Sequence, residues 1–261
     1  MNEMADNLLA ADEPAPVTVH NENGSSPFLF VADHAGNSMP RSLGRLGIPE
    51  TECKRHIAWD IGIAAVCRVV TDLLDAALVQ QNYSRLVIDC NRAPGSETSI
   101  PEISELTPIP GNVGLSEGRK AARVREIFRP YHDRIETELD RRRQAGRPVA
   151  LIAMHSFTPV FKGVARPWYA GLLYNRDPRF AHILMALLKR EKGLVVGDNE
   201  PYSVTDASDY TIPVHGEKRG LHHVAIEVRQ DLIADETGQR TWGALLARLL
   251  PQAYGELVQR F

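Results

Sequence analysis

The chain has 261 residues, of which 43% are hydrophobic and 24% charged, with a formal net charge of −3. This length suits one large α/β domain or two small ones, and the slight acidic excess argues against nucleic acid or an anionic membrane surface as a partner. The three cysteines, Cys53, Cys67 and Cys90, form no C-x-x-C pair and cannot all be bridged, which points to a reducing, cytoplasmic setting.

In chain order, Met1–Ser26 lacks the basic and apolar blocks of a signal peptide and is expected to be a flexible arm, leaving 27–261 as the folded domain. No apolar run reaches the ~20 residues needed to span a bilayer. Phe28–Ala32 reads as a buried strand that stops at Asp33-His34, with Gly36 and Pro40 breaking the pattern beyond it. A strand ending in an acid, an imidazole and a turn suits the carboxyl edge of a parallel sheet, where open α/β folds bind ligands. Apolar residues at helical spacing predict a helix from about Ile61 to Leu74. Asp60 stands at its start and has two readings, a capping acid favoured by the helix dipole or a carboxylate presented to a site.

Ala77–Asn82 and Leu86–Cys90 read as short strands joined near Tyr83–Arg85, and Ala93–Gly114 as a long loop of the kind that forms lids or binding loops. Ser116–Gln144 is expected to be a charged helix disturbed at Pro130, with Arg141–Arg143 a solvated helix end. Pro148–Met154 repeats the first strand's build and delivers His155-Ser156 to a loop. Beyond it we expect strands at Trp168–Tyr174, Leu194–Gly197 and His223–Val228, and helices at Arg179–Lys192 and Thr237–Gln259, the last irregular at Pro251. Strands alternating with helices imply an α/β domain with a largely parallel or mixed sheet.

The chemistry concentrates at two strand ends. His34 and His155 occupy equivalent settings, and neutral imidazoles are good zinc ligands; a catalytic zinc takes three protein ligands and a water. Asp60, Asp33 and the weaker Asn37 are the candidates for the third ligand. Glu227, near the end of a late strand, is the candidate general base, its plain alternative being a salt bridge to Arg229. Arg85, Asn91 and Arg92 are candidates for binding a substrate carboxylate, the guanidinium fork matching it bidentately. His215, between Pro213 and Gly216, is a candidate hydrogen-bond donor to an oxyanion. Ser84 and Ser156 lie near these residues, but no G-x-S-x-G elbow supports a serine nucleophile, and neither G-x-G-x-x-G nor a Walker loop is present.

Several of these stretches, in order, resemble one family. They are Asp33-His-Ala-Gly-Asn-Ser-Met-Pro40, Ala58-Trp-Asp-Ile-Gly62, Tyr83 through Asn91-Arg92, Met154-His-Ser156, Pro213-Val-His-Gly-Glu-Lys-Arg-Gly220 and Ile226-Glu-Val-Arg-Gln-Asp-Leu232. The segment from Phe28 to Leu232 is similar to the N-formylglutamate amidohydrolase family, a relative of zinc carboxypeptidases and aspartoacylases. The resemblance implies a three-layer α/β/α fold of the phosphorylase/hydrolase-like type. It implies cleavage of N-formyl-L-glutamate to formate and glutamate, a step of histidine degradation, with one zinc or another divalent ion on His34 and His155. It implies Glu227 in the position of the base, and Asn91-Arg92 as the pair for a substrate carboxylate. Zinc carboxypeptidases supply His-x-x-Glu, whereas here the residue three beyond His34 is Asn37; Asp60 is preferred as the replacement.

The expected function is therefore a cytoplasmic, metal-dependent amidohydrolase cleaving the N-formyl or N-acyl amide of an acidic amino acid such as N-formyl-L-glutamate. The same machinery acting on another small amide, and a non-catalytic carboxylate-binding protein of the same fold, are the alternatives. No nucleic-acid or membrane partner is expected, and self-association into a homo-oligomer stays open.

Overall fold

The computed structural model describes residues 7–261. In chain order the strands are β1 (Val17–His20), β2 (Phe28–Ala32), β3 (Ala77–Gln81), β4 (Ile103–Ser104), β5 (Thr107–Pro108), β6 (Ala150–Phe157), β7 (Val160–Phe161), β8 (Val164–Ala165), β9 (Ala170–Leu173), β10 (Val196–Asp198) and β11 (His222–Arg229). The α-helices are α1 (Glu50–Cys53), α2 (Ile63–Leu74), α3 (Glu117–Arg123), α4 (Arg129–Gln144), α5 (Arg179–Leu188) and α6 (Glu236–Arg260).

Seven strands form one sheet in the order β1-β3-β2-β6-β11-β9-β10. The central four, β3, β2, β6 and β11, are mutually parallel, while β1 at one edge and the β9–β10 pair at the other run against their neighbours. Alternation along the parallel strands sends Phe28, Phe30, Ala32, Ile152, Met154, Val224, Ile226 and Val228 to a core shared with α2, α5 and α6. Leu29, Val31, Leu151, Ala153 and Ala225 face the opposite layer, which holds α4 and the loops around Ile88 and Ile109. The result is the three-layer α/β/α architecture with a mixed, largely parallel sheet. Among the described residues no helix is long and apolar enough to cross a membrane.

Helix α2 forms where its periodicity predicts, burying Ile63, Val66, Cys67, Val70 and Thr71 at i, i+3, i+4, i+7 and i+8. It starts at Gly62, whose φ of +82° and approach to Ile233 leave no room for a Cβ, which would lie 2.2 Å from the Ile233 carbonyl oxygen. The Ser116 cap accepts a hydrogen bond from the Arg119 amide. One turn of π-helix, Val124–Phe128, follows α3 and precedes Pro130. This bulge lies at the disturbance predicted for that proline, which lacks an N–H and crowds the carbonyl four residues back. Pro251, by contrast, leaves α6 continuous.

Three expectations are corrected. Leu86–Cys90 is not a strand. Ser84 turns the chain, its hydroxyl oxygen accepting from the Leu86 amide and its carbonyl from the Val87 amide, and Leu86, Val87, Ile88 and Cys90 plug the α4-side core from a buried loop. A short apolar run has the same composition in either setting. The arm of 1–26 is not free where it is described, its first six residues lying outside the described part. Val17–His20 pairs antiparallel with β3, the Asn82 amide donates to Pro16, and the Tyr83 hydroxyl donates to the Pro14 carbonyl. The segment covers what would otherwise be an open sheet edge. In Arg141–Arg143 the middle residue is buried: Arg142 pairs with Glu138 at 2.7 Å and donates to the Ser26 carbonyl, because the helix turns it toward the sheet.

Candidate active site and metal centre

The site grows from three neighbouring strands. β2 ends at Ala32 and passes Asp33 and His34 into a turn; β6 and β11 are in register with His155 directly opposite Glu227. Both side chains fall on the α4 face, two residues beyond Ala153 and Ala225. These small residues stand where a large side chain would fill the layer, and the space becomes part of a cavity of about 410 Å³. The cavity is lined by His34, Asp60, Arg85, Asp89, Asn91, Arg92, His155 and Glu227 among others, and by Thr98, Pro101, Ile103, Ser104 and Glu105 of the long loop.

His34, Asp60 and His155 are buried together, and one ligand atom from each lies within 4.8 Å of the other two. Asp60 Oδ2 is 3.0 Å from His155 Nδ1 and 3.5 Å from His34 Nδ1, and accepts from the Ser156 amide at 3.2 Å. The outer ring nitrogens also face carboxylates: His34 Nε2 is 2.7 Å from Asp89 Oδ1, and His155 Nε2 is 3.3 Å from Asp33 Oδ2. A proton kept on each Nε2 leaves both Nδ1 lone pairs facing Asp60. This is the carboxylate–histidine arrangement that prepares imidazole for a metal. His34 Nδ1 is buried without a hydrogen-bond partner, and two imidazoles with one carboxylate are a donor set that suits a divalent ion such as zinc. The residues present therefore fit the group.

The electrostatics are those of a buried cluster of opposite charges, in which the carboxylates also raise the His155 pKa against burial. Burial pushes the Asp33 and Asp60 carboxyls up, but the His155 and His34 imidazoles outweigh it and hold both below the usual range, Asp33 at about 2. Burial and Arg85 push His34 toward neutrality, and Asp89 and Asp60 reverse this, so its pKa is raised. Glu227 behaves oppositely: burial pushes its carboxyl up to about 7, a value suited to a general base. Its Oε2 has no hydrogen-bond partner, and Arg229 is engaged with Asp231 instead. The surface salt-bridge reading of Glu227 is thereby overturned, because the Arg229 guanidinium is held by Asp231 and by the Arg166 and Trp168 carbonyls.

The capping reading of Asp60 also fails. Gly62 is the residue that caps α2, and the Asp60 carboxylate is directed to His155 and Ser156. Asn37 is exposed and outside the cavity. Asp33 lies behind His155 rather than beside His34 and Asp60.

Arg85 reaches the cavity, but its guanidinium is 2.6 Å from Asp89 and 3.7 Å from Asp60. The Asn91 amide is occupied: Nδ2 donates to Asp209, and Oδ1 accepts from the Tyr210 and Thr211 amides. It holds the 209–211 loop at the wall of the cavity that it helps to line. Arg92 is freer, with its nearest carboxylate, Asp209, 3.8 Å away. His215 is a further correction. It sits in the π-turn Ile212–Glu217, outside the cavity lining, stacked on His132 with Nε2 2.9 Å from His132 Nδ1. Burial drives the two rings down to about 3 and 4, so both are neutral packing partners behind the site. Ser84 and Ser156 donate their hydroxyls to the Ala58 and Ile61 carbonyls, which removes both as nucleophiles.

Sequence reasoning missed Asp89, Tyr131, Thr211 and the rim residues Tyr202 and Asp209. Asp89 alone carried a local signal, an acid at the end of an apolar run.

A comparison with curated proteins finds no match to the chain. Among solved structures, a gene product of Agrobacterium tumefaciens superposes with a TM-score of 0.92 at 36% identity, over 96% of this chain and 99% of the other. The N-formylglutamate amidohydrolase of Ralstonia eutropha JMP134 superposes with a TM-score of 0.68 at 21% identity, over 95% and 99%, and so shares the fold. The family model described as N-formylglutamate amidohydrolase matches residues 26–234. That span opens just before β2 and closes after β11, and it contains the whole cavity lining, from His34 to Glu227. On this match the chain belongs to the N-formylglutamate amidohydrolase family.

Proposed function

We propose that the chain is a metal-dependent amidohydrolase that removes the N-formyl, or another small N-acyl, group from an amino acid, with N-formyl-L-glutamate as the first substrate to test. The observation that carries this reading is the register pairing of Glu227 with His155, which puts a carboxyl of raised pKa beside the His34–Asp60–His155 group. His34, Asp60 and His155 would hold the ion. A divalent metal bound there supplies Lewis acidity, polarising an amide carbonyl and lowering the pKa of water toward 7.

The chain's own residues do the rest. Glu227 accepts a proton from the attacking water at its unpartnered Oε2 and returns it to the departing nitrogen, so that the C–N bond breaks to give a carboxylic acid and a free amine. Arg92 takes the substrate carboxylate through its guanidinium. Arg85, held by Asp89, keeps positive charge on the wall where the carbonyl oxygen becomes anionic. Thr98–Glu105 narrows the mouth and limits water.

Metal analysis of the purified protein, together with formate release from N-formyl-L-glutamate, tests the reading. Loss of turnover on chelation and its return with zinc are expected. Protein that is stabilised by N-acyl amino acids yet stays inert with added zinc would point instead to a carboxylate-binding protein. A second reading, an N-acyl amino acid with one carboxylate, is favoured by the pairing of Arg85 with Asp89, which leaves Arg92 as the cation nearer to free. A panel of N-formyl amino acids with acidic, neutral and basic side chains separates the two.

A further inference from the structure

The two metal-side histidines are supported differently. The acceptor behind His34 is Asp89, which is itself fixed by a cation and a backbone amide: Arg85 is 2.6 Å from Oδ2, and the Asn91 N–H donates to Oδ1 at 2.9 Å. The carboxylate behind His155 is Asp33, which is buried and, among the described residues, has no arginine or lysine partner. Its Oδ1 receives two hydroxyls, Tyr131 at 2.9 Å and Thr211 at 2.7 Å. Its Oδ2 is the oxygen that faces His155 Nε2 at 3.3 Å.

Both hydroxyl donors are immobilised by their own surroundings. Tyr131 is fully buried in α4 with its ring against His132 at 5.1 Å. Thr211 is 1% exposed, and its backbone amide is held by Asn91 Oδ1. Each has Asp33 as its side-chain acceptor, so each hydroxyl proton points at Oδ1. Two donors on one oxygen restrain the carboxylate and leave its other oxygen, which has no hydrogen-bond partner of its own, 3.3 Å from the imidazole Nε2.

We propose that Tyr131 and Thr211 are positioning residues for the metal centre. Acting through Asp33, they hold the His155 ring in orientation and keep its proton on Nε2, which leaves Nδ1 as the ligand atom facing Asp60. Tyr131 lies outside the cavity lining, and Thr211, which borders the cavity, directs its hydroxyl to Asp33. The inference rests on the metal reading above and adds to it a pair of neutral hydroxyls from α4 and the 209–211 loop. The pair does for His155 what Arg85 does for His34.

The test uses the full chain with Co²⁺ as the probe, because cobalt reports its ligand field in the visible spectrum. Tyr131→Phe and Thr211→Val each remove one hydroxyl with little change of shape. The direct partner of a ligating histidine is worth about 10- to 100-fold in metal affinity, which sets the upper bound for residues that act through it. Each single variant should weaken Co²⁺ severalfold and alter its absorption bands, the double variant should approach that full loss, and Thr211→Ser should restore wild-type binding. Near-ultraviolet circular dichroism confirms that the variants are folded. If Tyr131→Phe does not fold, the Thr211→Val and Thr211→Ser pair decides alone. A folded double variant with wild-type affinity and spectrum overturns the inference, as does one with lower thermal stability and unchanged cobalt binding, which would make the hydroxyls merely structural. If the unsubstituted chain binds no Co²⁺, the metal reading itself falls and takes this inference with it. Wild-type binding beside unaffected variants would sink the inference alone.

Discussion

The same three strands present two unlike faces. Toward α2, α5 and α6, β2, β6 and β11 offer Phe30, Ala32, Ile152, Met154, Ile226 and Val228, which seal into one apolar layer. Toward α4 they offer Leu29, Val31, Leu151, Ala153 and Ala225, and then, at the carboxyl end, Asp33, His155 and Glu227. One face spends its alternation on packing. The other drops to alanine and then to ionisable groups, which opens a cavity and lines it with charge. Neighbouring residues on one strand, such as Ile226 and Glu227, therefore serve different ends, and substituting them separates stability from activity.

The largest effect is expected from Glu227→Gln. Removing a general base should lower kcat by roughly a hundred- to ten-thousand-fold, while Co²⁺ binding and the fold persist. With burial holding the carboxyl near 7, folding favours its protonated form. The folded pKa lies above the unfolded one, so the linked stability is present at low pH and is lost as pH rises through about 7. The neutral amide should thus unfold at a higher temperature than wild type at pH 8, and show little difference at pH 4. Calorimetry at the two pH values checks this. The same titration predicts an acid limb in kcat/KM, falling about tenfold per pH unit below the carboxyl's pKa. That limb lies at about 7 in the field of the protein's own groups and lower once a cation adds its charge.

On the sealed face, Ile226→Ala should cost about 2–5 kcal/mol of stability by cavity formation, measured by denaturant unfolding. The kcat/KM of the folded fraction should stay near wild type. A large loss of turnover there would mean that the two faces are not separable. The smallest expected effect is at the rim. Arg92→Lys keeps the charge but loses the fork and should raise KM by about tenfold with kcat little changed. An unchanged KM would move carboxylate binding to Arg85.

Much of the frame was legible in the residues because it is set locally. Strand runs, the i, i+3, i+4 spacing of α2, the Ser116 cap and the disturbance at Pro130 all depend on near neighbours. His34, His155 and Glu227 could be placed for the same reason, since a polar residue that ends an apolar strand reaches a sheet edge. The failures are of another kind. Leu86–Cys90 has the composition of a strand and the role of a buried loop, His215 has the composition of a loop donor and packs behind the site, and Arg142 sits in a charged run and is buried. In each case the deciding fact is what lies across space, and a one-dimensional pattern does not contain it.

The sequence by itself determined which strands carry ionisable groups at their ends, and alternation then put His155 and Glu227 on the face of their strands opposite Met154 and Ile226. Only the tertiary structure decided that β6 and β11 are neighbours in the register that sets His155 against Glu227. It also decided that Asp60 turns from its helix toward the two imidazoles, and that Tyr131 and Thr211 reach Asp33 across 98 and 178 residues of chain. The physical reason is range. Periodicity and capping act over a few residues, whereas a cluster of buried charges is stable only where separate elements converge to neutralise and orient one another.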